Sequence, residues 1–277
     1  MVDDGSSDGT SEMVRADFPS ARLERLDEPR EVVACRNLGA DLALAPVIVS
    51  IDDDARMPSP DTVSQTLQDF DDWRVGAVAI PWIDLPTAYK PAWRGHSPGQ
   101  AERHRAPSPD GVWARHAYVG AAHAVRRDLF LGLGGYRSEL VHSFEEPDFC
   151  LRLLDAGYVV RAGRADRIEH VAGARNVARW IGYSCRNPIL LATWNVPARW
   201  IPGRLLKINY NCLIGASRLR WPHPFLRGLA LGYRDGLRAL RDRRPVHSAS
   251  WRLWTALQRA GALRLEEIID RLPPPRW

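Results

Sequence analysis

Three adjacent carboxylates, Asp52, Asp53 and Asp54, follow directly on the apolar run Val47-Ile48-Val49-Ser50-Ile51. Like charges so close repel one another unless a cation or hydrogen-bond donors compensate. Hard oxygen ligands suit Mg²⁺ or Mn²⁺, which commonly also hold substrate phosphates. A solvated turn is the competing account, because strand ends with two or three acids are ordinary turn chemistry. A second acidic group, Glu145-Glu146-Pro147-Asp148, heads a helical pattern in which Asp148 and Arg152 are spaced to pair on the helix surface. Asp3 and Asp4 lie in the polar, glycine-bearing opening Met1–Thr10. Among the histidines, His96, His104, His116 and His123 have no spacing that argues a metal site.

The elements that must position these groups follow from periodicity. The β-branched run 47–51 reads as a buried strand of a parallel sheet, and in open α/β sheets ligands bind just beyond the carboxyl ends of such strands. Thr10 or Ser11 is placed to cap a short helix through Phe18, a strand fits Ala21 to Leu26, and Glu31 to Ala45 carries a helical repeat. Asp61 to Phe70 reads as a helix and Val75 to Pro81 as a strand, so the alternation is α/β. Residues 84–117 show no clear period and read as a long loop or substrate-covering insertion. The small residues of Tyr118-Val119-Gly120-Ala121-Ala122 allow close backbone approach, and a helix then runs to Leu133. The Glu145 helix tolerates Pro147 in its first turn and ends at Gly157, ahead of a strand over Tyr158 to Ala162. Four further helices are expected, over Val177–Ala192, Leu205–Leu219, Phe225–Leu240 and Trp251–Leu272.

At 277 residues, with 45% apolar and 26% charged, the chain is an ordinary globular one. Cys35, Cys150, Cys185 and Cys212 form no CxxC pair, so neither a zinc site nor a disulfide framework is indicated and a reducing compartment fits. There is no apolar run near the roughly 18 residues needed to span a bilayer. The net charge of +5 is unevenly spread: residues 175–277 hold 19 Lys+Arg and 5 Asp+Glu, a net of +14, which leaves −9 for residues 1–174. The basic part also holds seven of the eleven tryptophans, and Arg with interleaved Trp suits an anionic lipid headgroup region. Nucleic acid is the competing partner for such a patch.

Taken in order and spacing, Val2-Asp3-Asp4-Gly5-Ser6-Ser7-Asp8-Gly9-Thr10, Ala34-Cys35-Arg36-Asn37-Leu38-Gly39-Ala40, Ile51-Asp52-Asp53-Asp54, Gly134-Gly135-Tyr136 and Glu145-Glu146-Pro147-Asp148-Phe149-Cys150-Leu151-Arg152-Leu153 resemble the family 2 glycosyltransferases of GT-A fold. The resemblance covers about residues 1–172. It implies a Rossmann-like, mostly parallel sheet flanked by helices, with the helical basic region beyond, and an inverting, metal-assisted transfer from a nucleoside diphosphate sugar. Carried over by position, Asp3 and Asp4 are candidates for base or ribose contacts, Arg36 and Asn37 for the diphosphate, and Asp53 for the donor ribose. Asp52 and Asp54 match the outer acids of a metal-binding D-x-D motif, and His170 lies where relatives often carry a histidine near the metal. Glu146 occupies the general-base position in place of the family's Asp, with Glu145 the alternative, and Asp148 is a supporting or acceptor-binding group.

The expectation is therefore a GT-A catalytic part over 1–174 and a Trp-rich helical region over 175–277. Mg²⁺ or Mn²⁺ and a nucleotide-sugar donor are the implied cofactor and substrate, and a saccharide or lipid-linked molecule the acceptor. Cell-surface polysaccharide or glycolipid synthesis is the implied role, in the cytoplasm and peripherally on the inner face of the membrane, with no nucleic acid partner. A nucleotidyltransferase and a non-catalytic nucleotide-sugar or membrane-binding remnant are the rival readings. Family members begin with a strand, loop and helix ahead of the segment that here starts at Val2, so the sequence is read as truncated at its start. A sheet without that strand would expose backbone and apolar surface, against roughly 5–15 kcal/mol of net domain stability.

Overall fold

The computed structural model describes residues 1–85, 105–171 and 176–276. Its first elements are β1 (Val2–Asp3), α1 (Thr10–Asp17), β2 (Glu24–Arg25), α2 (Glu31–Leu42), β3 (Val47–Ile51), β4 (Ala55–Arg56) and α3 (Thr62–Gln68). They are followed by β5 (Val75–Ala79), β6 (Trp82–Asp84), β7 (Trp113–Arg115), β8 (Ala122–Arg126), α4 (Arg127–Gly132), α5 (Glu145–Asp155), β9 (Val159–Ala162) and β10 (Ile168–His170). The basic region supplies α6 (Val177–Asn195), α7 (Ile201–Leu219), α8 (Pro222–Ala239), α9 (Ser248–Ala260), β11 (Leu263–Arg264) and α10 (Leu265–Ile268). The expected loop over 84–117 lies largely outside the described residues.

The central sheet has the order β11-β7-β9-β5-β8-β3. β5 and β9 pair in parallel, and the other four pairings are antiparallel. The expected mostly parallel sheet is thus a mixed one, because β8 enters antiparallel between β3 and β5, leaving those two pointing the same way. β3 is correspondingly not a strand buried at the sheet centre: among the described residues it pairs only with β8, and its residues are half-buried, with Ile51 exposed. β1 and β2 form a separate parallel pair, and β4-β10-β6 a third sheet that carries Asp84 and His170 side by side. The expected strand over Ala21–Leu26 is shorter, Glu24–Arg25.

β5 is the buried centre, with every residue of Val-Gly-Ala-Val-Ala inaccessible. A Cβ at Gly76 would lie 2.9 Å from Leu153 Cδ1 and 3.0 Å from Leu129 Cδ1, so α4 and α5 pack directly on that strand. One continuous apolar core then joins both parts of the chain, from Val75, Leu151 and Ile168 to Ile189, Trp254 and Leu257. The helix expected over Trp251–Leu272 is broken. Gly261 takes a φ of +83°, which ends α9, and β11 turns back to pair with β7.

α8 packs on α6 through Gly228, Gly232 and Gly236. Added Cβ atoms there would meet Gly182 O at 2.5 Å, Ile189 Cδ1 at 2.6 Å and Thr193 Oγ1 at 3.1 Å. Glycine at four-residue steps puts a backbone stripe on one face of α8, and that allows the close approach. No described helix is long and apolar enough to cross a membrane.

Candidate active site

Arg36, on α2, joins the acids of two distant elements. Its Nη2 donates to Asp52 Oδ1 at 2.5 Å beyond the end of β3, and its Nη1 to Glu145 Oε1 at 3.0 Å at the start of α5. The guanidinium is largely buried, and the surrounding carboxylates raise its pKa against the opposing effect of burial. Space for it comes from Gly120, where a Cβ would lie 2.4 Å from Nη1.

The same glycine positions the second acid of α5, its N–H donating to Glu146 Oε1 at 2.8 Å. Glu145 is 2% exposed, with Oε2 unpartnered, whereas Glu146 keeps partial access to solvent. Burial, then the neighbouring Glu146 charge, pushes the Glu145 carboxyl up to about 8. Burial also raises Glu146, with Arg36 and the Gly120 N–H opposing. The two acids therefore compete for one proton.

A strained loop sets the start of α5. Val141, Ser143 and Phe144 all take positive φ, a conformation costing roughly 1–3 kcal/mol per residue that the surroundings must over-determine. Asn187 of α6 supplies part of that hold: its Nδ2 donates to the carbonyls of Leu140, His142 and Ser143 at 2.8, 2.9 and 2.8 Å.

Asp54 approaches His170 Nε2 at 3.2 Å, and His170 Nδ1 meets Asp84 Oδ1 at 2.7 Å. Those two hydrogen bonds raise the imidazole pKa to about 9, so it carries a proton here. A carboxylate and an imidazole backed by a second carboxylate are, in kind, a donor set for Mn²⁺ or Mg²⁺. Among the described residues no three His, Cys, Asp or Glu side chains converge on one ion. Asp52 is turned to Arg36, and the His170 proton neutralises part of the charge that a cation would.

Several sequence candidates have other occupations in the structure. Asp3 is 2% exposed; its oxygens accept from Ser6 N at 2.8 Å, Arg25 Nη1 at 3.0 Å and Ser11 Oγ, which hold it well below the usual carboxylate range. It ties β1 to α1. Ser11 is thereby used up, and α1 begins after Gly9, at φ +88°, without a side-chain cap. Asp4 caps α2 from outside, accepting from Arg30 N at 2.6 Å and Glu31 N at 3.0 Å. Asn37 clamps the Gly134-Gly135-Tyr136 turn, with Nδ2 on Tyr136 O at 2.8 Å and Oδ1 on Tyr136 N at 2.9 Å, and keeps a second amide N–H beyond those two bonds. Asp148 is fully buried and accepts from Arg137 at 2.7 Å, Arg152 at 2.9 Å and Asn195 at 2.6 Å. It is a packing node between α5 and α6, and its pair with Arg152 is internal, not on the helix surface. Asp53 is exposed beside the site.

Sequence reasoning passed over the support behind Glu146. His123 Nδ1 lies 3.1 Å from Gly120 O, its Nε2 3.0 Å from Tyr136 OH, and that hydroxyl 2.7 Å from Tyr118 OH. Burial and Arg36 lower His123 to about 3, so the ring is neutral and donates Nδ1–H to Gly120. Both faces of the Gly120 peptide are then held, one by the histidine and one by Glu146. A lone histidine carries no such signal in sequence, and the only cue was the small-residue run around Gly120.

Residues 1–132 match the family model described as glycosyl transferase family 2. Among solved structures, the mannosyltransferase PcManGT from Pyrobaculum calidifontis in complex with GDP-Man and Mn²⁺ is similar at 20% identity and a TM-score of 0.53, over 94% of this chain and 74% of that one. Residues 1–349 of S. aureus TarS align at 13% identity and a TM-score of 0.52, over 98% of this chain and 78% of that one. GalNAc-T7 with UDP, GalNAc and Mn²⁺ aligns at 16% identity and a TM-score of 0.51 over 70% of this chain, which spans 41% of that protein. No curated protein matches the chain in sequence.

Proposed function

We propose that this chain, whose residues 1–132 match the family model described as glycosyl transferase family 2 and whose fold is similar to that of solved glycosyltransferases, moves a sugar from a nucleoside diphosphate sugar to an acceptor hydroxyl with inversion at the anomeric carbon. The observation that carries this reading is Arg36, which joins Asp52 and Glu145 and so brings the acids beyond β3 and the acids of α5 to opposite sides of one guanidinium.

Glu146 is the general base. Its Oε1 is oriented by the Gly120 N–H, burial raises its pKa and so favours proton uptake, and it retains the solvent access that Glu145 lacks. Its carboxylate takes the acceptor proton as the hydroxyl oxygen attacks the anomeric carbon and the bond to the diphosphate breaks. Arg36 keeps the paired acids from both losing their charge to protonation, holding Glu145 in place behind the base. Asp54 and His170 would hold Mg²⁺ or Mn²⁺ once the imidazole gives up its proton, with Asp84 orienting the ring, and Asp52 would join them on release from Arg36. When bound, the ion supplies positive charge to the departing diphosphate. The acceptor is a saccharide or lipid-linked saccharide of cell-surface polysaccharide or glycolipid synthesis, reached with the basic region against the inner face of the membrane.

The test is a screen of nucleotide sugars with Mn²⁺, reading released nucleoside diphosphate. Diphosphate release that depends on Glu146 and on an added acceptor supports the assignment. Release of pyrophosphate instead identifies a nucleotidyltransferase, and donor binding without turnover identifies a binding protein.

A further inference from the structure

Of the tryptophans that suggest a lipid-facing tail in the sequence, Trp180 and Trp200 are partly buried against the core and Trp221, between α7 and α8, is exposed. Trp194, Trp251 and Trp254 are buried, and Trp254 Nε1 donates to His116 O at 3.0 Å. Large apolar side chains are exposed elsewhere. Leu206, Tyr210 and Leu213 follow one another at steps of four and three on α7, and Leu226, Tyr233 and Leu237 at steps of seven and four on α8, with Leu240 one turn further. Leu206 and Leu237 are each 72% exposed.

Helical spacing puts each set on one face, away from the packing faces that carry Ile208, Cys212 and Ala216 on α7 and Gly228, Gly232 and Gly236 on α8. The two stripes are neighbours: α7 and α8 form a hairpin through the left-handed Arg220, and Asn209 Nδ2 bonds to Tyr233 OH across it. Beside the apolar stripe on each helix runs a basic one, with Lys207 and Arg218 on α7 and Arg227, Arg234 and Arg238 on α8. Residues 199–244 hold eleven Lys+Arg against two Asp+Glu.

We infer that the outward face of the α7–α8 hairpin, and not the buried tryptophans, seats the protein on an anionic phospholipid bilayer, with Leu206, Leu226 and Leu237 in the acyl boundary and the adjoining Lys and Arg at the headgroups. An apolar stripe bordered by cations on a helix of low mean hydropathy is the pattern of an interfacial helix, and negative lipid complements its charge. A second copy fits poorly, because apposing two such faces sets like charges against each other. This rests on the membrane reading proposed above, which it localises.

The test is co-sedimentation of the full chain with vesicles of phosphatidylcholine alone and of phosphatidylcholine with phosphatidylglycerol, at low and high salt, with hydrogen exchange on the bound protein. Binding to the anionic vesicles only, weakened by salt, with protection gained in α7 and α8, is expected. The triple variant Leu206→Gln, Leu226→Gln, Leu237→Gln should bind about tenfold more weakly or worse, and Lys207→Gln, Arg218→Gln, Arg227→Gln should lose the preference for anionic lipid. Both variants should release nucleoside diphosphate in solution at the unaltered rate. Wild-type binding left intact in the leucine variant, with protection elsewhere, overturns this face while sparing the membrane reading. Absence of any vesicle binding overturns both, as does a solution dimer that the leucine variant dissociates. None of these outcomes touches the transfer assignment, which is read by diphosphate release.

Discussion

The backbone N–H of Gly120 donates to Oε1 of Glu146 at 2.8 Å, on the residue whose missing side chain also makes room for the Arg36 guanidinium. One glycine thus orients the proposed base and admits the cation that pairs with its neighbouring acid. Replacing Gly120 by Ala puts a methyl group against an arginine pinned by two carboxylates. Initial rates of nucleoside diphosphate release should fall about 10²-fold, and the melting temperature should fall as well because the pinned guanidinium must shift.

Glu146→Gln should abolish transfer and leave the fold and donor binding intact, since the amide keeps the Gly120 contact as an acceptor but takes up no proton. Glu145→Gln should retain measurable activity. Turnover surviving in the first variant and lost in the second would reverse the assignment of the base. Paired rate and calorimetric measurements distinguish these outcomes.

The pH dependence follows from the raised pair. A base whose pKa is raised gains activity as pH rises through the apparent pKa of the pair, so the acid limb should lie at higher pH than for an ordinary carboxylate. Arg36 lowers both acids, so Arg36→Ala should move that limb to higher pH as well as reduce the plateau rate.

Stability has a matching trend. Glu145 has a folded-state pKa of about 8, above its ordinary value of 4.5, so the native state holds its proton more tightly than the unfolded chain does. Its contribution is complete below pH 4.5 and is lost as pH rises towards 8. Melting temperatures measured across that window should fall with pH in the wild type, and the slope should be smaller in Glu145→Gln.

Chelation of divalent ions should stop transfer, and Mn²⁺ or Mg²⁺ should restore it. Asp54→Ala should leave folding intact and abolish that restoration. Full activity in the presence of chelator would remove the metal from the proposal. Titration with Mn²⁺ monitored by rate and by calorimetry gives both readings.

Asn187→Ala removes three side-chain hydrogen bonds to the positive-φ loop before α5, those to the His142 and Ser143 carbonyls being part-buried. A loss of about 2–4 kcal/mol in urea unfolding is expected, and activity should fall even in the folded fraction because α5 loses its fixed start.

The fold class and the acidic strand end were legible in sequence because both rest on local pattern. β-branched residues at 47–51, a helical repeat from Glu31 and Pro147 within a helix's first turn are short-range signals, and each lies in the expected element. The neighbourhood of Asp52 was also legible as chemistry. What Asp3, Asn37 and Asp148 do was not, since their types suit a ligand as well as they suit a cap, a turn clamp or a buried ion pair. Their contacts with Ser11, Tyr136 and Asn195 come from other elements, and two of the three lie far away in sequence.

The tryptophans show the same division at larger scale. Composition by itself determined that the region beyond residue 174 is basic, helical and rich in aromatic side chains. Which of its faces meets solvent was decided by packing: glycines at 228, 232 and 236 draw α8 onto α6, Trp251 and Trp254 fill the core beneath β7, and Leu226, Tyr233 and Leu237 are left outside. Helical period specifies which residues share a face, but burial depends on what another element brings against that face. In the same way the sequence placed Arg36 on a helix and Asp52 and Glu145 at two element ends, and only the tertiary structure set them around one guanidinium.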